Sequence, residues 1–274
     1  DGIKPKLRST ILPYTFGAIG SLPLEKISSV GKIGGSAFIA ITPATSIEAA
    51  LIPDFSQVEA DVAQVSINSP FALFYPERRP FFIEGSDLFE SRLKYVYTRT
   101  ISQPLGLSKV NFQSKKLRLY ALTGYDPSSP YLVPGENFSD YGTSTGNWST
   151  VLRAEHPMAN ASSFGFMSTH RIYDQGGFGH TLALDLNTQI SSRWRYKLEL
   201  ARTETLEPEE DWISSSETFS EHTAELNGER FSGYSLFSGI YRQSTNWKTR
   251  ADIMLLSPTF RPEMGFEPRN NFRR

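Results

Sequence analysis

Across the second half of the chain, apolar and polar side chains alternate with a period of two, which is the signature of β-strands. In 179–190, Leu182, Leu184 and Leu186 alternate with Thr181, Ala183, Asp185 and Asn187. After a tight turn at Ser191-Ser192, Trp194, Tyr196, Leu198 and Leu200 alternate with Arg195, Lys197 and Glu199, so this hairpin has one apolar and one charged face. The same logic predicts a hairpin over 229–257. There Phe231, Ser235, Phe237 and Tyr241 lead to a Ser244-Thr245-Asn246 turn, and Trp247, Ala251, Ile253 and Leu255 then alternate with Lys248, Arg250 and Asp252. Residues 108–125 fold back around Ser114-Lys115-Lys116, with Leu117, Leu119 and Ala121 set against Lys116 and Arg118. Residues 147–173 fold back around Pro157-Met158-Ala159-Asn160, with Trp148 and Leu152 set against Arg153 and Glu155. Three earlier strands are expected at 7–20, 31–42 and 46–53, and helical periodicity is absent.

Several features distinguish this pattern from a soluble β-sandwich. Many of the strands reach about ten residues, the length a tilted strand needs to cross a bilayer, whereas soluble strands run to about five or six. From residue 114 onward the connections alternate, with tight turns at 114–116, 157–160, 191–192 and 244–246 separated by longer loops such as 126–146 and 206–228. Outer-membrane barrels have that asymmetry, with short periplasmic turns and long external loops. Trp148, Trp194, Trp247, Tyr125, Tyr173 and Tyr241 lie near strand ends, as in an interfacial girdle. The expected fold is therefore all-β, an antiparallel transmembrane β-barrel of the outer-membrane type. Its charged mid-strand positions, Arg118, Arg153, Glu155, Arg195, Lys197, Glu199, Lys248, Arg250 and Asp252, are expected to line the lumen.

Composition adjusts this picture little. The 274 residues carry a net charge of −1, no field to attract nucleic acid. There is no Cys, which excludes disulfides and thiolate metal sites. Mean hydropathy is −0.34, and no apolar run is long enough for a membrane-crossing helix. A barrel escapes both measures because its strands alternate. The chain opens at Asp1-Gly2-Ile3 with no visible export signal and closes at Asn271-Phe272-Arg273-Arg274 without a terminal aromatic, so a mature or partial chain with strands missing is expected.

The middle of the chain breaks the pattern. It contains Ile52-Pro53-Asp54-Phe55-Ser56-Gln57-Val58-Glu59-Ala60-Asp61 and then Phe74-Tyr75-Pro76-Glu77-Arg78-Arg79-Pro80-Phe81-Phe82-Ile83-Glu84-Gly85. These stretches resemble the "NPDFxQVEAD" and "FFPEKRPFFLEG" signatures of the bacterial family known as domain of unknown function 5916. Tyr97-Thr98-Arg99-Thr100-Ile101 is similar to its "YSRRI" segment, and Ser257-Pro258-Thr259-Phe260-Arg261-Pro262-Glu263-Met264-Gly265-Phe266 to its "SPDFNPELGF". Departures are modest, with Ile52, Arg78 and Thr100 standing where the family has Asn, Lys and Arg. The resemblance implies a barrel in the outer membrane of Gram-negative bacteria, often behind a carbohydrate-binding domain similar to family 9, and it implies no established activity.

The predicted organisation is first barrel strands over 1–53, a non-spanning external or lumenal insertion over 54–104, and barrel hairpins over 105–274. Chain direction requires the insertion, because a strand rising at 46–53 must return before 108–114 descends. Pro76 and Pro80 each remove a backbone donor and oppose a strand there. Asp54, Glu59 and Asp61 have the chemistry of calcium ligands but not the spacing of a calcium loop, and solvated charges weigh more. Glu77, Arg78, Arg79 and Glu84, with Asp87, have the chemistry to hold an anion or sugar. Charges paired within a tucked segment anchored by Phe81 and Phe82 fit better.

His156, His170, His180 and His222 are scattered with no metal-ligand spacing. Gly31-Lys32-Ile33-Gly34-Gly35 lacks the Gly-Lys-Ser/Thr of a phosphate loop, and no Ser has a nucleophile-elbow context. No enzyme, metal or cofactor is expected. The expected role is a channel or uptake component for glycan-related solutes; the alternative is a structural or accessory subunit anchoring a larger surface complex. The expected partners are the lipid bilayer and lipopolysaccharide, surface or periplasmic proteins, and a glycan.

Overall fold

The computed structural model describes residues 8–20, 28–53, 55 and 71–274. The long strands are β1 (Ser9–Gly20), β2 (Ser28–Thr42), β3 (Thr45–Leu51), β4 (Gly106–Gln113) and β5 (Arg118–Asp126). A small hairpin of β6 (Ser129–Pro134) and β7 (Ser139–Ser144) follows, then β8 (Asn147–Met158), β9 (Ser162–Tyr173), β10 (Phe178–Gln189) and β11 (Trp194–Leu206). Two-residue pairs fill the next loop, β12 (Glu209–Glu210) with β15 (Leu226–Asn227) and β13 (Thr218–Phe219) with β14 (His222–Thr223). The chain then adds β16 (Arg230–Gln243), β17 (Lys248–Leu256) and β18 (Phe272–Arg273).

Twelve of these strands form one sheet in the order β1-β2-β3-β4-β5-β8-β9-β10-β11-β16-β17-β18. Every neighbouring pair is antiparallel. The fold is all-β, and no helix among the described residues is long and apolar enough to cross a membrane. Among those residues β1 and β18 form the two edges of the sheet and are not paired with each other.

The tight turns that join β2 to β3, β4 to β5, β8 to β9, β10 to β11 and β16 to β17 all fall at one end of the sheet. Two of them share a device. Ser114 Oγ accepts the amides of Lys116 and Leu117, and Ser244 Oγ accepts that of Trp247, so a hydroxyl closes each turn at its first residue. Pro157 and Met158, expected in a turn, belong instead to β8, opposite Ser163 and Ser162, and the turn is Ala159–Ala161. The strand ends that the longer connections join, those of β3 and β4, β5 and β8, β11 and β16, and β17 and β18, lie at the opposite end.

One core cluster takes residues from every long strand between β3 and β17 and from the insertion. Ala50, Leu107, Tyr120, Leu122, Val151 and Met167 are among the wall's share, and Phe82, Leu88, Leu93, Tyr95 and Ile101 among the insertion's. At about 4.8 Å per strand a flat sheet from β3 to β17 would be about 43 Å wide, too wide for one compact segment to cover. The sheet therefore curls around residues 71–104, which occupy its inner face together with 258–267. Gly233 makes room for the second segment, since a Cβ there would strike the backbone of Thr259 and Phe260.

Alternation sets what faces outward. Leu119, Leu152, Phe166, Leu184, Leu200 and Ile240 point away from the insertion and are exposed. In β16 the phenylalanine positions are covered rather than exposed. Its Phe231, Ser235 and Phe237 face inward, and Phe237 is wholly buried against the insertion. Tyr173 and Tyr241 also face inward, which removes them from the expected girdle. Tyr125, Trp148, Trp194 and Trp247 remain at strand ends, with the rings of Tyr125 and Trp148 tilted against each other at a centroid distance of 5.4 Å.

Phe82 is at the centre of the interior, fully buried and in contact distance of Phe81 and Phe55 with ring centroids at 5.2 and 5.8 Å. Phe82→Ala is expected to weaken docking of the insertion by about 3–5 kcal/mol. Limited proteolysis should then cut within 71–104 while the long strands stay resistant.

Candidate functional site

The inner face holds the charges that alternation places there, and several of them hold the insertion. In β4 the Lys109 ammonium is buried. It pairs with Glu48 at 2.6 Å, donates to the Phe81 carbonyl at 2.6 Å and lies 4.8 Å from the Phe81 ring centroid. In β5 Arg118 bridges Glu155 and Asp87, the latter from the insertion. At the far end of the same strand, the Asp126 carboxylate accepts the amides of Ser102 and Gln103 at 2.6 and 3.0 Å. In β11 Glu199 accepts the amides of Arg92 and Leu93 at 2.7 and 3.3 Å. These are charge-assisted bonds, stronger than neutral ones.

Two guanidinium groups act as clamps. Arg171 of β9 is 1% exposed and donates to Asn147 Oδ1 and to the carbonyls of Pro130, Glu263 and Thr100 at 3.1–3.3 Å. It thereby ties the β6–β7 hairpin, the 258–267 segment and the insertion to the wall. Arg261 is buried between Glu207 at 2.6 Å and Glu263 at 3.1 Å, and also donates to the Tyr131 hydroxyl. Burial works against its charge, but Tyr131 and the two carboxylates outweigh it and raise its pKa. Around it Tyr131, Val133, Tyr173, Ile213, Phe219 and Phe231 form a second apolar cluster across the long-loop end.

The insertion is internally braced. Pro80 opens a short helix, α1 (Pro80–Ile83), that buries Phe81 and Phe82, with proline at a position where its missing donor costs nothing. The Glu77 carboxylate accepts from the Arg79 amide at 2.8 Å, from the Arg79 guanidinium at 2.7 and 2.9 Å, and from Thr98 Oγ1 at 2.6 Å. Arg79 also donates to the carbonyls of Ile101 and Thr98 and lies 4.2 Å from the Phe82 ring centroid. Burial pushes the Glu77 carboxyl up, but the bonds and charge of Arg79 prevail and hold it at about 2. Backbone bonds join Tyr97 to Met264 and Phe266 to Lys94, each at 2.7 Å, so the insertion and the 258–267 segment run as one unit.

The structure places Arg118, Arg153, Glu155, Arg195, Lys197, Glu199, Lys248, Arg250 and Asp252 on this one inner face, by the register of β5, β8, β11, β16 and β17. They divide in two along the strand axis. Arg153 and Glu199 are enclosed, while Arg195, Lys248 and Arg250 are exposed at the short-turn end. Asp54, Glu59 and Asp61 lie outside the described residues. Glu77 and Arg79 are consumed by each other, Arg78 is exposed, and Glu84 is 3.9 Å from Lys109.

Arg171, Arg261 and Glu263 went unmarked in the sequence because their partners are distant in the chain. The histidines are a correction. The register of β9 and β10 brings His170 and His180 together on the outer face, Nδ1 to Nδ1 at 2.7 Å, although their spacing carries no such signal.

Residues 5–118 match the model of the family described as "Domain of unknown function (DUF5916)". That is the family whose motifs the sequence resembles at 52–61, 74–85 and 97–101, and the match spans the insertion that fills the inner face. No curated protein matches the sequence significantly. Among solved structures the chain is similar to OmpT, an outer membrane protein of Vibrio cholerae in its trimer form. The TM-score is 0.40 at 8% identity, covering 91% of this chain and 89% of that one. The loop L8 deletion mutant of OmpT gives a TM-score of 0.36 at 8% identity, covering 90% and 93%. Likenesses this distant carry no further conclusion.

Glu267 makes the docking sensitive to pH. Its carboxylate accepts the Lys94 amide at 2.6 Å. Burial lifts its pKa to about 7 from an ordinary 4.5, against that bond and the charge of Arg92. A raised carboxyl favours the folded state while protonated, so its contribution is greatest below about 4.5 and declines as pH rises through about 7. Glu77 has the opposite sign, and its contribution is lost only as pH falls toward about 2. Proteolysis of the insertion should therefore accelerate as pH rises between about 4.5 and 7. Glu267→Gln should flatten that dependence.

Proposed function

We propose that this chain is a membrane-embedded β-barrel of the bacterial outer membrane. In this reading it is a plugged uptake component for glycan-related solutes, with its interior occupied by the insertion. The observation that carries the membrane reading is the outward face. Exposed apolar side chains succeed one another across adjacent strands, including Phe164, Leu184, Leu200 and Ile240. They end at Trp194 and Trp247 on the short-turn side and at Arg202 and a polar row, Thr150, His170, His180 and Glu204, just below Trp148.

From Trp194 to Glu204 the rows span about 33 Å along the strand and about 25 Å along the membrane normal at a tilt of about 40°, the height of a barrel's apolar band. Lipid satisfies no backbone group. The reading therefore requires the outer edges of β1 and β17 to be paired in the membrane. Short turns on the periplasmic side would place the Arg261 cluster and the long loops outside.

The interior supports a plugged rather than an open passage. Lys109, Arg118, Asp126, Arg171 and Glu199 of the wall are engaged by the insertion, and passage requires that engagement to be broken. The same enclosure favours a second reading, in which the barrel is the anchor of a larger surface complex and the interior never opens. Co-purification in gentle detergent separates the two, since the anchor requires stable companions.

Tryptophan fluorescence in bilayers of brominated lipid tests the membrane reading. Trp148, Trp194 and Trp247 should be quenched, whereas Trp212, packed against Tyr131 and Tyr173, should not. Unquenched emission from all four would sink it. In planar bilayers the intact chain should pass no steady current, and Arg171→Ala should produce intermittent openings. A steady open conductance in the unaltered chain would contradict a plugged interior.

A further inference from the structure

On the outward face, three polar side chains of β9 and β10 form a chain of hydrogen bonds. Ser168 and His170 are two residues apart in β9 and so project from the same face, and Ser168 Oγ lies 2.7 Å from His170 Nε2. The register sets His180 of β10 directly opposite His170, and their Nδ1 atoms are 2.7 Å apart. Phe178 stacks on the His180 ring at a centroid distance of 4.5 Å, and Glu204 of β11 stands opposite His180 on its other side. In the next row toward the short turns, Ser168 lies between Leu152 and Leu182, and Leu182 in turn lies beside Arg202. Leu152, Leu182 and Arg202 are exposed, whereas Ser168 is 4% exposed.

Polar groups are costly on a face that is otherwise apolar. A hydroxyl bonded to one imidazole that is itself bonded to a second is an arrangement that activates serine as a nucleophile. With the His170 proton on Nδ1, that N–H donates to His180 Nδ1, and Nε2 is left to accept the Ser168 hydroxyl proton. His170 then has the place of a general base, and His180 that of the group that orients it and steadies the imidazolium. Such triads are recognised by geometry and roles rather than by sequence position, so Ser168-Thr169-His170 carried no signal in the chain. Depth selects the substrate. The row of Ser168 and Arg202 is where the apolar band gives way to polar residues, the level at which the acyl esters of a lipid meet its headgroup. Arg202 lies about 10 Å from Ser168, two strand spacings away, so its guanidinium can hold a lipid phosphate while an acyl ester reaches the hydroxyl. The ester enters by displacing the Leu152 and Leu182 side chains, which otherwise shield Ser168 from water.

We propose that Ser168, His170 and His180 form an acyl-ester hydrolase site that takes phospholipids from the surrounding leaflet. Ser168 Oγ bonds to the acyl carbon as its proton passes to His170 Nε2. The bond from that carbon to the glycerol oxygen breaks, and the oxygen takes the proton from His170, releasing a lysophospholipid. Water then adds to the acyl carbon, giving a proton to His170. The bond to Ser168 breaks, the proton returns to Oγ, and a fatty acid leaves. The three residues stand on geometry alone, while the assignment of the ester to a lipid rests on the membrane reading. A water-soluble ester therefore tests the site apart from the membrane.

The full chain in detergent micelles, treated with a fluorophosphonate, should carry the label on Ser168 when its peptides are mapped by mass spectrometry. It should hydrolyse p-nitrophenyl butyrate, and in bilayers of phosphatidylglycerol it should release lysophosphatidylglycerol and fatty acid in equal amounts. Ser168→Ala and His170→Ala should each lower kcat at least about a hundredfold, with hydrogen exchange of β9 and β10 unchanged. His180→Leu should lower kcat at least about tenfold. His180→Asn keeps an acceptor for the His170 Nδ1–H and should restore most of it. Arg202→Ala should raise KM for phosphatidylglycerol several-fold more than KM for the butyrate. The site is overturned by label on another serine or on none, or by Ser168→Ala hydrolysing the butyrate as fast as the unaltered chain. The lipid assignment is overturned if the butyrate is hydrolysed but phosphatidylglycerol survives in bilayers where brominated lipid quenches Trp148.

Discussion

Arg171 and Arg261 are enclosed, at 1 and 2% exposure, and a cation removed from water persists only where several acceptors converge on it. For Arg171 the acceptors come from β8, the β6–β7 hairpin, the insertion and the 258–267 segment. For Arg261 they come from the loop after β11 and from its own segment. No one of these segments can leave without stranding a buried charge, at a cost of several kcal/mol. The interior is therefore assembled as a unit, and the apolar cores on either side of the clamps reinforce an arrangement that the charges have made specific.

The same alternation that puts Leu184 and Leu200 outward puts Asp185 and Glu199 inward, so the two faces of the sheet are two solvent environments set by one period. The outward face needs an apolar surround. The inward face needs hydrogen-bond partners, and the insertion supplies them largely as backbone groups: the amides of Arg92, Leu93, Ser102 and Gln103, and the carbonyls of Phe81 and Thr100. Segments without regular structure must place such groups somewhere, and wall charges are where these ones go. At the short-turn end the partnership gives out, and Arg195, Lys248 and Arg250 are exposed.

Much of the wall was legible in the sequence because period-two alternation and turn chemistry are local. Ser114 and Ser244 mark turns through their own hydroxyls, and β10 and β11 read directly as a hairpin. Pro157 misled because a turn former was taken to start the turn, whereas the register extends β8 past it. The facing of β16 was not legible: its Phe237 packs on the insertion and its Phe231 on the cluster around Arg261, and apolarity alone cannot distinguish lipid from a covered interior. The His170–His180 contact and both arginine clamps depend on register and on contacts between residues tens of positions apart, so no local pattern announces them. The motif at 257–266 was visible as a motif, while its role in pairing with 94–97 was not.

Hydrogen exchange of the full chain in lipid bilayers tests most directly whether the insertion is a fixed part of the interior. The amides of Arg92, Leu93, Lys94, Tyr97 and Phe266, each bonded to the wall or to the other interior segment, should exchange as slowly as those in the middle of β9 and β10. Exchange of these amides at the rate of exposed turns such as 244–247, with the strands still protected, would contradict the account.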